Sequence, residues 1–185
     1  MPALFTATSA AGDALRSAFL ADVGHLAKST LPTIGTSLDD SHNAGESALS
    51  GAASPDFPAL LAESRTGVAF LDQVKAQLAQ ANVSNSCLSD DPITPQAILR
   101  RSAALSCAGC HAPERFLGAD RSVGCGITWP KSLGQTHIDE HGNLSEALTD
   151  VYLPRRADVL LTYLRACNSR AVEQNLVPNA GGWQK

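Results

Sequence analysis

The chain has 185 residues, a formal net charge of −4, 44% hydrophobic residues and only 5% aromatic ones. That length suits one domain or one and a half, with a core built from few large side chains. There is no basic stripe to favour nucleic acid as a partner, and no apolar run of about 18 residues to span a membrane.

The first twenty residues, MPALFTATSAAGDALRSAFL, lack a basic n-region and a continuous apolar stretch. They do not read as a signal peptide. Residues 11–29 instead read as an amphipathic helix, with Leu15, Phe19, Val23 and Leu26 on one stripe and His25 beside it. Residues 30–65, rich in Ser, Gly, Ala, Asp and Pro and containing His42, read as a long flexible linker. Residues 66–82 form a second amphipathic helix, with Leu71, Val74 and Leu78 inward and Lys75 and Gln77 outward. Residues 1–82 are therefore expected to be an N-terminal helical segment, separate from the rest of the chain.

After a Ser-, Asn- and Pro-rich break, Thr94 and Pro95 mark a helix start: a hydroxyl cap, then proline at the first helical position. The helix is expected to run without interruption into Cys107-Ala108-Gly109-Cys110-His111. Ile98, Leu99, Ala103 and Leu105 supply its apolar side, and Arg100 and Arg101 are solvated or approach an anionic group.

Cys-x-x-Cys-His is the spacing by which c-type haem is attached. With five Cys and five His, chance yields it only about 0.004 times per chain of this composition. Two thiols one helical turn apart can add across two vinyl groups of a haem, and the adjacent histidine then meets the iron. Cys107 and Cys110 are thus the candidate attachment residues, and His111 the candidate proximal ligand, for one covalent haem c. Such attachment normally takes place outside the cytoplasm. The expected location is periplasmic or extracellular, with the chain a mature product or the C-terminal part of a larger exported protein. In such a compartment two of Cys87, Cys125 and Cys167 could pair. Cys87 with Cys167, which flank the motif, is the first expectation.

Residues 112–143 are loop-like and suit the second wall of a haem pocket, with Phe116, Ile127, Trp129 and Leu133 as the apolar candidates. A buried Trp129 indole N–H needs an acceptor, and a haem propionate would serve. Residues 144–152 suggest a short helix. Pro154 restarts the chain into a final helix over 155–167, with Leu160, Tyr163 or Leu164, and Cys167 on one face, and residues 171–185 form a polar tail.

Residues 85–170 resemble a small class I c-type cytochrome, through the motif at 107–111 and the last helix, Arg156 to Leu164. The resemblance implies a mainly α fold: a small helical domain around a covalent haem, here preceded by the N-terminal helices and the long loop. It also implies that the motif helix and the last helix cross, with Tyr163 near the contact. Class I members usually add a methionine ligand from the loop before the last helix. Here the only methionine is Met1, and that loop holds His137 and His141. Bis-histidine iron with His137, or else His141, as sixth ligand would serve electron transfer to a redox partner protein. Five-coordinate iron, with Asp139 and Glu140 near in sequence, would serve small-ligand sensing or peroxide chemistry. Without haem, Cys107 and Cys110 with Cys125 or His137 could hold structural zinc, or the two motif thiols could act as a redox dithiol. No motif for nucleophilic catalysis is present, so the reading is a haem-binding electron carrier rather than an enzyme.

Overall fold

The computed structural model describes residues 7–38, 64–81, 87, 91–106, 109 and 111–175. The described part is mainly helical. Helix α1 spans Ala10–Leu26, α2 Arg65–Gln80, α3 Pro95–Ala104, the short α4 Glu114–Leu117 and α5 Leu153–Asn175. No helix among the described residues is long and apolar enough to cross a membrane.

Side chains start the first three helices. Ser9 accepts from the Gly12 amide, Ser64 from Gly67 and Thr94 from Ala97, each satisfying an amide that the helix itself leaves without a partner. Leu15, Phe19, Val23 and Leu26 of α1 are all buried, as their stripe requires. They meet Val74 and Leu78 of α2 and Ile98 and Leu99 of α3 in one core. Phe70 joins them, packing edge-on against Phe19 at 5.5 Å between ring centroids. The inward stripe of α2 is therefore Phe70, Val74 and Leu78, with Leu71 at its margin. The N-terminal helices share a core with α3, the helix that precedes the motif, so α3 has a packed face on which to rest.

The stretch expected to be linker begins as built structure. Leu31–Thr33 form a 3₁₀ turn and Ile34 is fully buried; residues 39–63, with His42, lie outside the described residues. Asp22 of α1 holds this turn in place. Its buried carboxylate accepts from the Ser37 amide at 2.9 Å, Ser37 Oγ at 2.6 Å and Thr36 Oγ1 at 2.5 Å, and it pairs with His25 Nδ1 at 2.8 Å. Burial alone would raise its pKa, but the bonds from Ser37, Thr36 and His25 outweigh burial and bring it below the ordinary aspartate value.

Arg101 is the largest departure from expectation. It is neither solvated nor free to meet a propionate, because its side chain has no exposed surface. Its guanidinium donates to four backbone carbonyls: Leu26 at 2.8 Å, Lys28 at 2.7 Å, Val123 at 2.7 Å and Gly124 at 3.0 Å. Burial draws its pKa down to about 10, partly opposed by the Asp91 charge, so it stays protonated at neutral pH.

A second, smaller core holds Ala104, Leu117, Val123, Trp129 and Val151. The segment from Arg121 to Leu144 is a run of tight turns closed by single antiparallel bridges, Ser122 to Thr128, Leu133 to Thr136 and Ile138 to Leu144. Cys125 takes a left-handed backbone, φ 65°. It is disulfide-bonded to Cys87, which corrects the expected Cys87–Cys167 pairing; Cys167 is free and exposed.

The last helix also differs from expectation. It begins at Leu153, directly after a wide π turn over Leu148–Tyr152, and runs to Asn175. Tyr163 is not at a contact with α3; it is 65% exposed. The aromatic that reaches the motif helix is Tyr152, whose hydroxyl donates to the Ala104 carbonyl at 2.9 Å and to that of Ser106 at 3.3 Å.

Replacing Arg101 by Met removes a donor from four carbonyls, among them the buried carbonyls of Leu26 and Val123. We expect Arg101→Met to lose about 3–5 kcal/mol of stability, read as a lower urea midpoint. Asp22, with a lowered folded pKa, contributes stability that is complete above about pH 4 and is lost as pH falls through its folded value. The stability gap between wild type and Asp22→Asn should therefore be wide at pH 7 and close toward pH 2–3 in urea titrations.

Candidate functional site

Helix α3 does not run unbroken into the motif. It ends at Ala104, and Leu105 and Ser106 turn the chain before Gly109 and His111, both helical. Cys107 and Cys110, the expected attachment residues, lie outside the described residues, as does the Phe116 side chain. Gly109 is buried so close to the end of α3 that an added Cβ would overlap the Ala104 carbonyl oxygen. Only glycine fits this approach.

Trp129 is fully buried, and its indole N–H donates to the Gly109 carbonyl at 3.2 Å. The acceptor expected for it was a propionate; the acceptor found is the motif backbone. Trp129 thus holds the segment that bears the motif, and Tyr152 holds the carbonyls just before it. Among the other expected wall residues, Ile127 packs against the second core, whereas Leu133 is exposed.

His111 is half-buried, and its Nδ1 lies 2.6 Å from the Gly134 carbonyl oxygen. A carbonyl can only accept, so Nδ1 carries the hydrogen and, in the neutral ring, Nε2 carries the lone pair. Metal-bound histidines are commonly oriented in this way by a bond at the other nitrogen. The His137 ring lies beside that of His111, centroids 4.6 Å apart and planes tilted by 46°. His137 is half-buried next to the motif histidine, while His141 is exposed in the turn after Asp139.

That turn is organised by Asp139. Its carboxylate accepts from the amides of His141 and Asn143, each at 2.8 Å, and from the Asn143 side chain at 3.0 Å. The bonds from Asn143, side chain first and then backbone, hold Asp139 below the ordinary aspartate value. An acceptor so engaged shapes the turn and is a poor proton donor.

Cys125 is committed to Cys87 and offers no thiolate to zinc, which removes one of the two zinc sets considered. Among the described residues no group of three or more His, Cys, Asp or Glu could hold a metal ion. No protein-family model, curated protein or solved structure matches this chain.

Gly109→Ala should force the motif backbone away from Ala104. We expect at least about 2 kcal/mol of lost stability, together with a changed near-ultraviolet circular dichroism signal as Trp129 loses its Gly109 acceptor.

Proposed function

We propose that the chain binds one haem c covalently through Cys107 and Cys110, with His111 as proximal ligand, and carries single electrons to a redox partner protein outside the cytoplasm. The observation that carries this reading is the His111 imidazole, immediately after Cys-x-x-Cys, with Nδ1 bonded to the Gly134 carbonyl and Nε2 left to ligate. Bound haem iron gains and loses one electron between its ferric and ferrous states. The chain's residues orient His111, hold the motif backbone and shield one side of the site. The Cys87–Cys125 disulfide fits an oxidising compartment. Leu133 and Ile138, exposed at 43% and 54%, border Gly134 and His137 in sequence and offer apolar surface for a porphyrin face to cover.

A second reading concerns the remaining iron position. Gly134 and His137 are three residues apart, on a segment folded back by the Leu133–Thr136 bridge, so one short segment carries both the carbonyl that orients His111 and the neighbouring imidazole. His137 or else His141 would be the further protein ligand, and without either the iron would take a small exogenous ligand.

Absorption spectra of protein made in a periplasm with haem-attachment machinery test both readings. A haem spectrum that survives acid–acetone extraction is expected, and His111→Ala should abolish its low-spin form. A low-spin spectrum lost in His137→Ala would establish His137 as the sixth ligand; high-spin bands that shift with CO or cyanide would establish an open position. No covalent haem under these conditions would overturn the proposal and point to metal analysis for zinc.

A further inference from the structure

We propose that Ser132 is a positioning residue for His111: its hydroxyl fixes the Gly134 carbonyl as the acceptor that keeps the His111 hydrogen on Nδ1 and the lone pair on Nε2. The claim about the imidazole stands without haem. Its consequence at an iron rests on the function proposed above.

Gly134 is a permissive point in the backbone. Its φ is 76°, and glycine adopts either sign of φ about equally well. Packing does not decide for it: outside its chain neighbours, no atom comes within 4 Å of where a Cβ would stand. Leu133 is 43% exposed, and Gln135 and Thr136 are exposed too. The direction of the Gly134 carbonyl is therefore set by hydrogen bonding. The Leu133–Thr136 bridge closes the turn, and the Gly134 amide donates to Ser132 Oγ at 2.8 Å. That amide and the carbonyl flank the same α-carbon, so anchoring the first limits the swing of the second. A serine hydroxyl that caps the amide two residues on is a local turn device. Here it supplies the restraint that glycine lacks.

The direction of this carbonyl matters because, in a neutral imidazole, the partner of one nitrogen decides which nitrogen carries the hydrogen. His111 Nδ1 lies 2.6 Å from the Gly134 oxygen. The other tautomer would set two lone pairs against each other across that gap. A fixed carbonyl excludes it, and a displaced one permits it. With haem bound, the same bond would make Nε2 a stronger donor and favour the ferric state.

The test is long-range ¹H–¹⁵N correlation spectroscopy of the full chain made without haem-attachment machinery. Spectra are recorded at about pH 9, above the ordinary imidazole range, and the His111 signals are identified by their loss in His111→Ala. Wild type is expected to hold the hydrogen on Nδ1. Ser132→Ala should lower the ratio of that tautomer to the other about fivefold, the worth of one hydrogen bond, and Ser132→Thr should restore it. Ser132 belongs to neither core, so the near-ultraviolet signal of Trp129 should persist in both variants. A tautomer ratio unchanged in Ser132→Ala, or a loss of the Trp129 signal with it, overturns the proposal. In haem-loaded protein, Ser132→Ala should raise the midpoint potential and Ser132→Thr should not; a potential unmoved by a shifted tautomer overturns the consequence at the iron. A shifted tautomer in a chain that never attaches haem overturns the haem reading alone.

Discussion

One guanidinium joins the two halves of this fold. Arg101 leaves the last turn of α3 and donates to the carbonyls of Leu26, the last residue of α1, and of Lys28 just beyond it, and to Val123 and Gly124 of the turn region. The Gly124 carbonyl also accepts from the Ile127 amide at 3.2 Å, but a buried carbonyl that loses a donor is costly. A planar cation with five donors can serve all four at once, which a lysine could not. Desolvation lowers the pKa of the group, yet leaves it charged at neutral pH. The position of the 121–129 turn, and hence of Trp129 and Gly109, is set by this contact. The disulfide reinforces it from the far side of the same turn, where the Cys125 amide also donates to the Asp91 carbonyl at 2.9 Å.

From Arg101 outward, the motif is held by backbone contacts rather than by a large apolar core. Tyr152 reaches the carbonyls of Ala104 and Ser106, Trp129 that of Gly109, and Gly134 receives His111. Each contact fixes a different point along a few residues of chain. Among the described residues the second core has five buried members, too few to lock a loop by packing alone. Hydrogen bonds from two large aromatic side chains supply direction as well as burial.

Periodicity and capping made the helical part readable. The α1 stripe needed only the recurrence of Leu15, Phe19, Val23 and Leu26, and Thr94–Pro95 announced α3 because cap and first-turn chemistry are local. Phe70 was within reach of the same logic, lying four residues before Val74. What pattern could not reveal was long-range. Arg101 looks like any solvated helix arginine until its acceptors, up to 75 residues away, are brought together. The partner of Cys87 depends on a turn whose left-handed residues gave no signal beyond the glycines flanking Cys125. Tyr163 attracted the role that Tyr152 fills because helix crossing was inferred from resemblance. The π turn that carries Tyr152 toward α3 leaves no mark in sequence. Cys107, Cys110 and His111 stand out in the sequence by their spacing alone, and of the three only His111 lies among the described residues.

The Gly134–His137 segment constrains the site more tightly than either histidine does. Its first residue sets the tautomer and direction of the His111 ring, and its fourth places a second imidazole against that ring. The Ser145 amide ties the His137 carbonyl to the start of the next turn at 2.9 Å, so His137 cannot swing away without disturbing two bridges. A residue that lies against the His111 ring and limits its rotation is well served by such a segment. Orientation of His111 is therefore the role of this turn that demands the least rearrangement.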